Sequence, residues 1–555
     1  MKPQFRIAIV LAAIFVILAP IGLVVWQSFL NGPFFARNVH FTLDAFRFVF
    51  SDPAFFKALG NSALISAGMT LIAVPIGGLL GLLLVRTDLP GVRWLEPLML
   101  APMFVSSIVL AFGFVMAFGP VGFISLWAKD IFGFIPWNLY STTSLIILAG
   151  LTHVPHVYIY ASTALRSLGS DVEDAARATG AGPLRTALTV SLPMIMPSLL
   201  YSAVLVFFLG FELFGLPLIL ADPQGTQVLA TYLYGLTNIL GIPSYQLMAV
   251  VVIVIIAIAL PLVFLQRRLL KNANRYISVK GKATQSRPLR IGVWKWPALA
   301  LIVLWLLVTV GAPVGALIMR AFVTSWGEGV DLAQVLTLNN FRELAEYPNV
   351  VRGIINTLIL AIAGGAAAVG VYTLMNLATH RWPTKWSATL DYMVLLPRAM
   401  PGIIAGLAIF WVFLFFPPLQ PFRQTLLAMW FAYTLVWMAY GMRLISASLL
   451  QISPDLEEAG RVAGASAGRV SRELTLPLIK AGLIGSWLLL FVTFVREYST
   501  GVYLLGPGTE VIGSLLVSLW ATGGVDLVVT LSVLNIAMVC GGLLLLAAFG
   551  KKKNG

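Results

Sequence analysis

The chain has 555 residues, of which 59% are apolar and only 10% are charged, with a mean hydropathy of +0.93. A soluble chain of this length carries roughly a quarter charged residues, so a soluble globular protein is excluded. The net charge of +14 raises nucleic acid as a partner, but nine Lys and Arg with no acid fall within 266–295, and three more lysines lie at 551–553. Basic clusters beside apolar runs set membrane orientation, so no nucleic-acid partner is expected.

Crossing a bilayer as helix takes about 20 apolar residues. In chain order such runs predict twelve spans, near 7–28, 60–85, 97–118, 141–164, 194–220, 245–265, 297–319, 354–379, 390–416, 425–446, 480–505 and 526–549. The first run is too long for a signal peptide and lacks a small-x-small cleavage site, so it reads as a retained span. Cys540, the single cysteine, lies in the last run and precludes an intramolecular disulfide. The expected fold is an all-α polytopic membrane protein in two tandem six-helix halves, 1–265 and 296–555, joined by a basic cytoplasmic linker at 266–295. Placing the N-terminus in the cytoplasm puts Arg86, Arg93, the linker, Arg381, Lys385 and the basic tail on one side. An even span count then places both termini there.

The halves repeat each other. Asn61 matches Asn356 and Pro102 matches Pro397 at an offset of 295 residues. A parallel repeat of this kind implies a pseudo-two-fold axis along the membrane normal and a pathway between the halves. Two polar loops, 165–193 and 447–477, repeat more closely. Asp174, Ala175, Arg177, Gly180, Leu192 and Pro193 recur 284 residues later as Glu458, Ala459, Arg461, Gly464, Leu476 and Pro477.

Each loop reads as a short helix, a turn and a second short helix. Ser170 with Glu173 makes a capping-box pattern, and Ser453 precedes Pro454 at a first helical turn. The acids Asp171, Glu173 and Asp174, or Asp455, Glu457 and Glu458, favour a helix N-terminus. Small residues Ala175 and Ala176, or Ala459 and Gly460, permit close approach to a partner groove. Gly180 and Gly464 suit the left-handed turn that ends a helix. Arg185 or Arg469 lies on the second helix, which closes at a Leu-Pro step.

The pattern Asp174-Ala-Ala-x-x-x-Gly180 and Glu458-Ala-Gly-x-x-x-Gly464, closing on Leu-Pro, resembles the signature loop of type I ABC importer permeases. The resemblance covers essentially the whole chain, with Asp174 in place of the usual Glu and Gly460 in place of the second Ala. It implies that both loops, through Glu173, Asp174, Ala175, Ala176, Gly180, Arg185, Glu457, Glu458, Ala459, Gly460, Gly464 and Arg469, dock two copies of an ABC ATP-binding subunit. It also implies a periplasmic substrate-binding protein and a bacterial inner-membrane location. The chain lacks a Gly-x4-Gly-Lys-Ser/Thr phosphate loop. ATP and Mg are therefore expected on the partner subunits; this chain is expected to bind no cofactor or metal and to be a conduit with no catalytic residue of its own.

Fusion of two halves resembles the ferric-iron importing subfamily, with thiamine, 2-aminoethylphosphonate and polyamine import as alternatives. The similarity rests on Phe494-Val-Arg496-Glu497-Tyr498 and Gly506-Pro-Gly508-Thr509-Glu510, whose first-half counterpart runs from Gly210-Phe-Glu212 to Gly225-Thr226. Glu212 lies 19 residues beyond Pro193, or roughly 28 Å along a helix, near the outer mouth. A carboxylate in lipid costs about 2.5–3.5 kcal/mol or more, so it should face a polar interior. Glu212, Arg496 and Glu497 are candidates for the path or its gate, or for tying down a re-entrant hairpin. His153 and His156 invite an iron-ligand reading, but their counterparts are Trp437 and Tyr440. Asp222 and Glu510 are candidate contacts for the binding protein. An ion-coupled secondary transporter, the alternative of another class, predicts coupling carboxylates at mid-membrane and gives no reason for two matched polar loops.

Overall fold

The computed structural model describes residues 3–168, 171–238, 244–273, 288–394, 396–397 and 402–551. Ser170 and the centre of the linker, 274–287, lie outside the described residues. Those described are helical, and strand pairing among them is confined to single bridges at Leu30–Phe41, Thr87–Leu289 and Val323–Leu336. Among the described residues ten helices are long and apolar enough to cross a bilayer. They correspond to predicted spans 1 to 8, 11 and 12. Span 9 is interrupted, with helices Lys385–Met393 and Gly402–Phe415, and span 10 divides at Trp437 into Leu426–Val436 and Met438–Leu449. The chain is thus a multi-pass helical membrane protein.

Local chemistry sets several boundaries. Span 2, Pro53–Arg86, starts where Asp52 accepts from the Ala54 amide at 2.9 Å and Pro53 supplies the first turn. Span 4, Thr142–Ser167, is capped by Ser141, and span 10 by Thr425. Predicted spans 5 and 11 end earlier than their apolar runs suggested. The helices stop at Glu212 and Arg496 instead of near 220 and 505. The chain then turns and forms further helices, Leu229–Asn238 and Ile512–Ala521. Short helices Asp44–Ser51, Phe123–Phe132 and Asn339–Glu346 were also not foreseen.

The described chain divides into two compact units that differ from the sequence halves. One comprises Met1–Val49, Pro243–Ile253 and Leu338–Gly555; the other comprises Phe50–Ile242 and Val254–Thr337. Span 1, Pro3–Ser28, therefore packs with the second-half spans, and span 7, Lys295–Ala321, packs with the first-half spans. Specific contacts explain the exchange. In the first unit, Arg6 Nη1 donates to His380 O at 3.2 Å, and the Phe34 ring meets Phe415 at 3.7 Å. In the second, Trp305 Nε1 donates to Leu151 O at 3.1 Å. Gly113 packs so closely on Pro313 that a Cβ there would lie 2.7 Å from its backbone oxygen.

Small residues let spans 2 and 4 approach each other. A Cβ on Gly77 would fall 2.6 Å from Val157, and one on Gly150 would fall 2.7 Å from Ile72. Close backbone approach of this kind drives helix association where lipid removes the hydrophobic driving force. In the other unit, the buried Tyr372 hydroxyl donates to Thr434 O, and Asn376 Nδ2 donates to Met442 O at 3.2 Å. These bonds join spans 8 and 10.

Candidate functional site

The first polar loop folds as helix Asp171–Ala178, a turn, helix Pro183–Thr186, and a π-helical turn Ala187–Ser191 that runs into span 5. Gly180 has φ +87°; its amide donates to Arg177 O, and that of Ala181 donates to Ala176 O at 3.0 Å. This is a helix end closed through a left-handed glycine. The second loop repeats it as Pro454–Val462, Ala467–Val470 and Ser471–Thr475, with Gly464 at φ +86° and Ala465 N donating to Gly460 O at 3.1 Å. Ser453 caps the second copy by accepting from Asp455 N. The departure at Gly460 has a packing reason, since a Cβ there would come within 3.2 Å of the buried Val470 side chain.

Adjacent acids in each loop have opposite surroundings. Asp174 and Glu458 are exposed, as are Ala175, Ala459, Arg185 and Arg469, while Ala176 and Gly460 are half-buried. Asp174 pairs with Arg177 at 3.7 Å, and Arg469 pairs with Glu473 at 2.8 Å. Apolar side chains share the open face: Val172 is 48% exposed, Leu456 47% and Val462 89%. Exposed apolar residues on an otherwise polar element mark an interaction surface.

Glu173 and Glu457, in contrast, are 2% and 4% exposed. Glu173 Oε1 accepts from Ser191 Oγ at 2.6 Å and lies 3.3 Å from Arg86 Nε at the end of span 2. Arg86 Nη2 also donates to Leu165 O at 2.7 Å and Leu168 O at 3.1 Å, at the end of span 4. In the second copy, Thr475 Oγ1 donates to Glu457 Oε1 at 3.1 Å, and Arg381 Nη1 lies 3.0 Å from Oε2. Arg381 Nη2 donates to Ile452 O at 2.9 Å, and His380 Nε2 lies 3.2 Å from Glu457 Oε1. Sequence reasoning grouped both acids as docking residues and missed Arg86, Arg381, Ser191 and Thr475 as their partners. The signal was present, because Arg86 and Arg381 share the 295-residue offset, and Ser191 and Thr475 share the 284-residue one.

At the far end of span 11, the Glu497 carboxylate is enclosed by donors. Its Oε1 accepts from Ser499 N at 3.1 Å, Ser499 Oγ at 3.0 Å, Thr500 N at 3.1 Å and Thr500 Oγ1 at 3.0 Å. Its Oε2 accepts from Trp437 Nε1 at 2.9 Å. Arg496 stacks over the Trp437 ring at 5.8 Å. Glu212 ends span 5 half-buried, with a buried Oε1. Arg496 and Glu497 belong to one compact unit and Glu212 to the other.

The segments beyond these ends are pinned back by matched tethers. Asn61 Nδ2 donates to Gln227 O at 2.8 Å, and Asn356 Nδ2 donates to Glu510 O at 2.9 Å and Gly508 O at 3.1 Å. Ser62 Oγ accepts from Leu229 N, and Thr357 Oγ1 accepts from Ile512 N. Glu510 is buried and bonded to Arg352 at 2.9 Å, and this guanidinium holds its carboxyl below the ordinary value. Asp222 is half-buried and accepts from Gln227 Nε2 at 3.2 Å; burial raises its pKa. The His153 and His156 rings stack at 5.2 Å, and His153 Nδ1 lies 2.8 Å from Ala149 O. Among the described residues no three His, Cys, Asp or Glu side chains gather as a metal site.

Residues 73–275 and 374–550 match the family described as the binding-protein-dependent transport system inner membrane component. The chain is 23% identical over 420 residues to the ferric transport system permease protein FbpB of Actinobacillus pleuropneumoniae, covering 74% of this chain and 59% of that protein. It is also 23% identical over 420 residues to a putative FbpB 1 of Haemophilus influenzae, covering 74% of this chain and 64% of that one. The chain thus spans less than two thirds of the length of these two relatives. The molybdenum transport system permease protein ModB of Escherichia coli is 26% identical over 195 residues, covering 35% of this chain and 84% of that protein.

Proposed function

Because the chain belongs to the family of binding-protein-dependent transport system inner membrane components, we propose that it is the fused, two-half permease of an ATP-driven importer in a bacterial inner membrane. Both termini and both polar loops face the cytoplasm, where positive charge accumulates. The observation that carries this reading is the pair of matched faces, Val172, Asp174, Ala175 and Gly180 on one element and Leu456, Glu458, Ala459 and Gly464 on the other. Each presents an acid, small residues and exposed apolar groups on the same backbone. Two like faces suit two copies of one ATP-binding subunit. ATP and Mg are handled there, and closure of those subunits moves the spans between inward-open and outward-open pathways. A periplasmic binding protein delivers the cargo. Glu212 and Arg496 line the path, and Glu497 holds the turn beside it.

Ferric iron is the proposed cargo. The support is that the ferric permeases are similar over 74% of the chain, whereas the molybdenum relative matches 35%. The chain is to be co-reconstituted in liposomes with its ATP-binding subunit and binding protein, with radioactive ferric iron as the probe. ATP-dependent accumulation that vanishes without the binding protein is expected. Uptake of thiamine, 2-aminoethylphosphonate or a polyamine instead of iron would overturn the cargo and keep the architecture. Failure to recover any complex with the ATP-binding subunit would overturn the architecture.

A further inference from the structure

Two buried carboxylates perform the same three-way task in separate parts of the chain. In each polar loop, the inner acid joins the loop helix to the end of one span through an arginine and to the entry of the next span through a hydroxyl. Glu173 meets Arg86 at 3.3 Å and Ser191 at 2.6 Å; Glu457 meets Arg381 at 3.0 Å and Thr475 at 3.1 Å. Each arginine continues the chain of contacts to a third span, donating to Leu168 O in one copy and to its counterpart Ile452 O in the other. The hydroxyls are placed by matching π-helical turns, Ala187–Ser191 and Ser471–Thr475, a local geometry often found at functional sites. Arg381 adopts φ +50°, the one positive φ among the described non-glycine residues. Its guanidinium is thus delivered to Glu457 from a backbone conformation that L residues rarely adopt.

We propose that these two clusters, each built on a buried glutamate, are the mechanical joints through which movement of the docking helices reaches spans 2, 4 and 5, and 8, 10 and 11. The assignment rests on the importer reading above and adds a division of labour. The outer acids Asp174 and Glu458 face the ATP-binding subunit; the inner acids Glu173 and Glu457 and their arginines never touch it and act as positioning residues. A stability role alone explains the arrangement poorly. Burying an ion pair costs desolvation that well-packed apolar residues avoid. Arg86 and Glu173 are both buried, whereas in the second copy Glu457 is buried and Arg381 keeps contact with solvent, and both copies keep the pair. Each guanidinium spans two groups, the carboxylate on one side and a span-end carbonyl on the other, and its rigid plane fixes direction as well as distance, which is what transmitting a rotation requires. The joints are unequal, since Glu457 also meets His380, whose backbone oxygen is bound by Arg6 of span 1.

The test uses the full complex in liposomes with ATP-binding subunits and loaded binding protein. Two variants are compared with the wild type: Glu173→Gln with Glu457→Gln, and an apolar pair in each joint, Arg86→Met with Glu173→Leu and Arg381→Met with Glu457→Leu. Both should be recovered in complex at wild-type yield, while stimulation of ATP hydrolysis by the binding protein falls roughly two- to thirtyfold, the range set by coupling energies of about 0.5–2 kcal/mol. Asp174→Lys with Glu458→Lys should instead lose the complex. Full stimulation in the apolar-pair variant would show the joints to be merely structural, and loss of the complex in the glutamine variant would show the inner acids to be docking contacts. Either result overturns the inference. A wild-type chain that captures no ATP-binding subunit would overturn the importer reading itself.

Discussion

Replacing Glu497 separates two roles that a carboxylate at the end of a span can play. Five donors converge on it, at 2.9–3.1 Å. The bond from Trp437 joins two spans, and bonds of that kind average about 0.6 kcal/mol in double-mutant cycles; the four within the Glu497–Thr500 turn, at about 0.5–1.5 kcal/mol each, bring the sum to at least about 3 kcal/mol. A second route counts donors left bare. Thr500 is fully buried, and the Trp437 indole is part-buried. Stranding the two buried donors of Thr500, its amide and its hydroxyl, costs about 1–3 kcal/mol each, or about 2–6 kcal/mol together. The two routes agree that Glu497→Ala should lose about 3 kcal/mol. Glu497→Gln keeps one acceptor for the Ser499–Thr500 turn but opposes its amide NH2 to the Trp437 Nε1–H, so it should lose about 1–2 kcal/mol.

The opposed donors supply an internal control. Trp437→Phe removes the indole donor, so Glu497→Gln should cost less in that background than in the wild type, and the two changes should not be additive. The assay is thermal unfolding of detergent-purified protein, followed as the fraction that stays monodisperse. The expected order of stability is wild type, Glu497→Gln, then Glu497→Ala. A Glu497→Ala protein that unfolds at the wild-type midpoint, yet no longer takes up cargo, would refute the hairpin argument and make the carboxylate a contact for cargo.

Two further outcomes follow from packing and charge. Gly406→Ala would put a Cβ 2.1 Å from the Thr500 backbone oxygen, whereas Gly485 has nothing within 4 Å of that position. Overpacking against backbone should lower the unfolding midpoint by the equivalent of about 1–3 kcal/mol; Gly485→Ala should leave it unchanged or raise it, as alanine is the better helix former. For Glu510, Arg352 depresses the folded-state pKa below the ordinary value of 4.5. A depressed carboxyl contributes its stabilisation in full above the unfolded value and loses it as pH falls through the folded one. The difference in midpoint between wild type and Glu510→Gln should therefore be constant at pH values well above the ordinary 4.5 and shrink as the pH is lowered beneath it. A difference that persists at the acid end would show the pair to be unimportant.

The spans were legible because a bilayer imposes a length and a polarity that few other environments do. Their interruptions were not. Span 10 breaks at Trp437 in the middle of an apolar run, and the indole there is held by Glu497, at the C-terminal cap of span 11. The early stop of span 11 was half-visible: Glu497, Ser499 and Thr500 make a local turn in which side chain and backbone compete with the helix. A glutamate followed by small hydroxyl residues reads equally well as a cargo site until its donors are counted. The polar loops show the same limit. Neighbouring acids on a helix point about 100° apart, so Glu173 and Asp174 were bound to face differently. Which one turns inward depends on Arg86, in another span, and no local pattern carries that information.

The repeat itself shows where the halves were free to differ. Matching residues are 295 apart through Asn61, Arg86 and Pro102, but 284 apart from Ser141 and Thr425 through the polar loops to Pro193 and Pro477. Those two residues cap spans 4 and 10, so the slip falls in the connection between spans 3 and 4. In the first half that connection holds the helix Phe123–Phe132, secured by Lys129 to Glu328 at 2.8 Å and by Trp326 Nε1 to Val121 O at 2.7 Å. In the second half the corresponding stretch is a tight turn around Gln420–Phe422. This connection lies at the opposite span ends from the polar loops, which keep register, left-handed glycines and a buried glutamate alike. On the proposed function, two like motor subunits would ask for two like faces, and the departure at Gly460, packed against Val470, preserves the backbone. The single delivery protein of the same proposal would ask for no such symmetry on the other side, and there the two halves part.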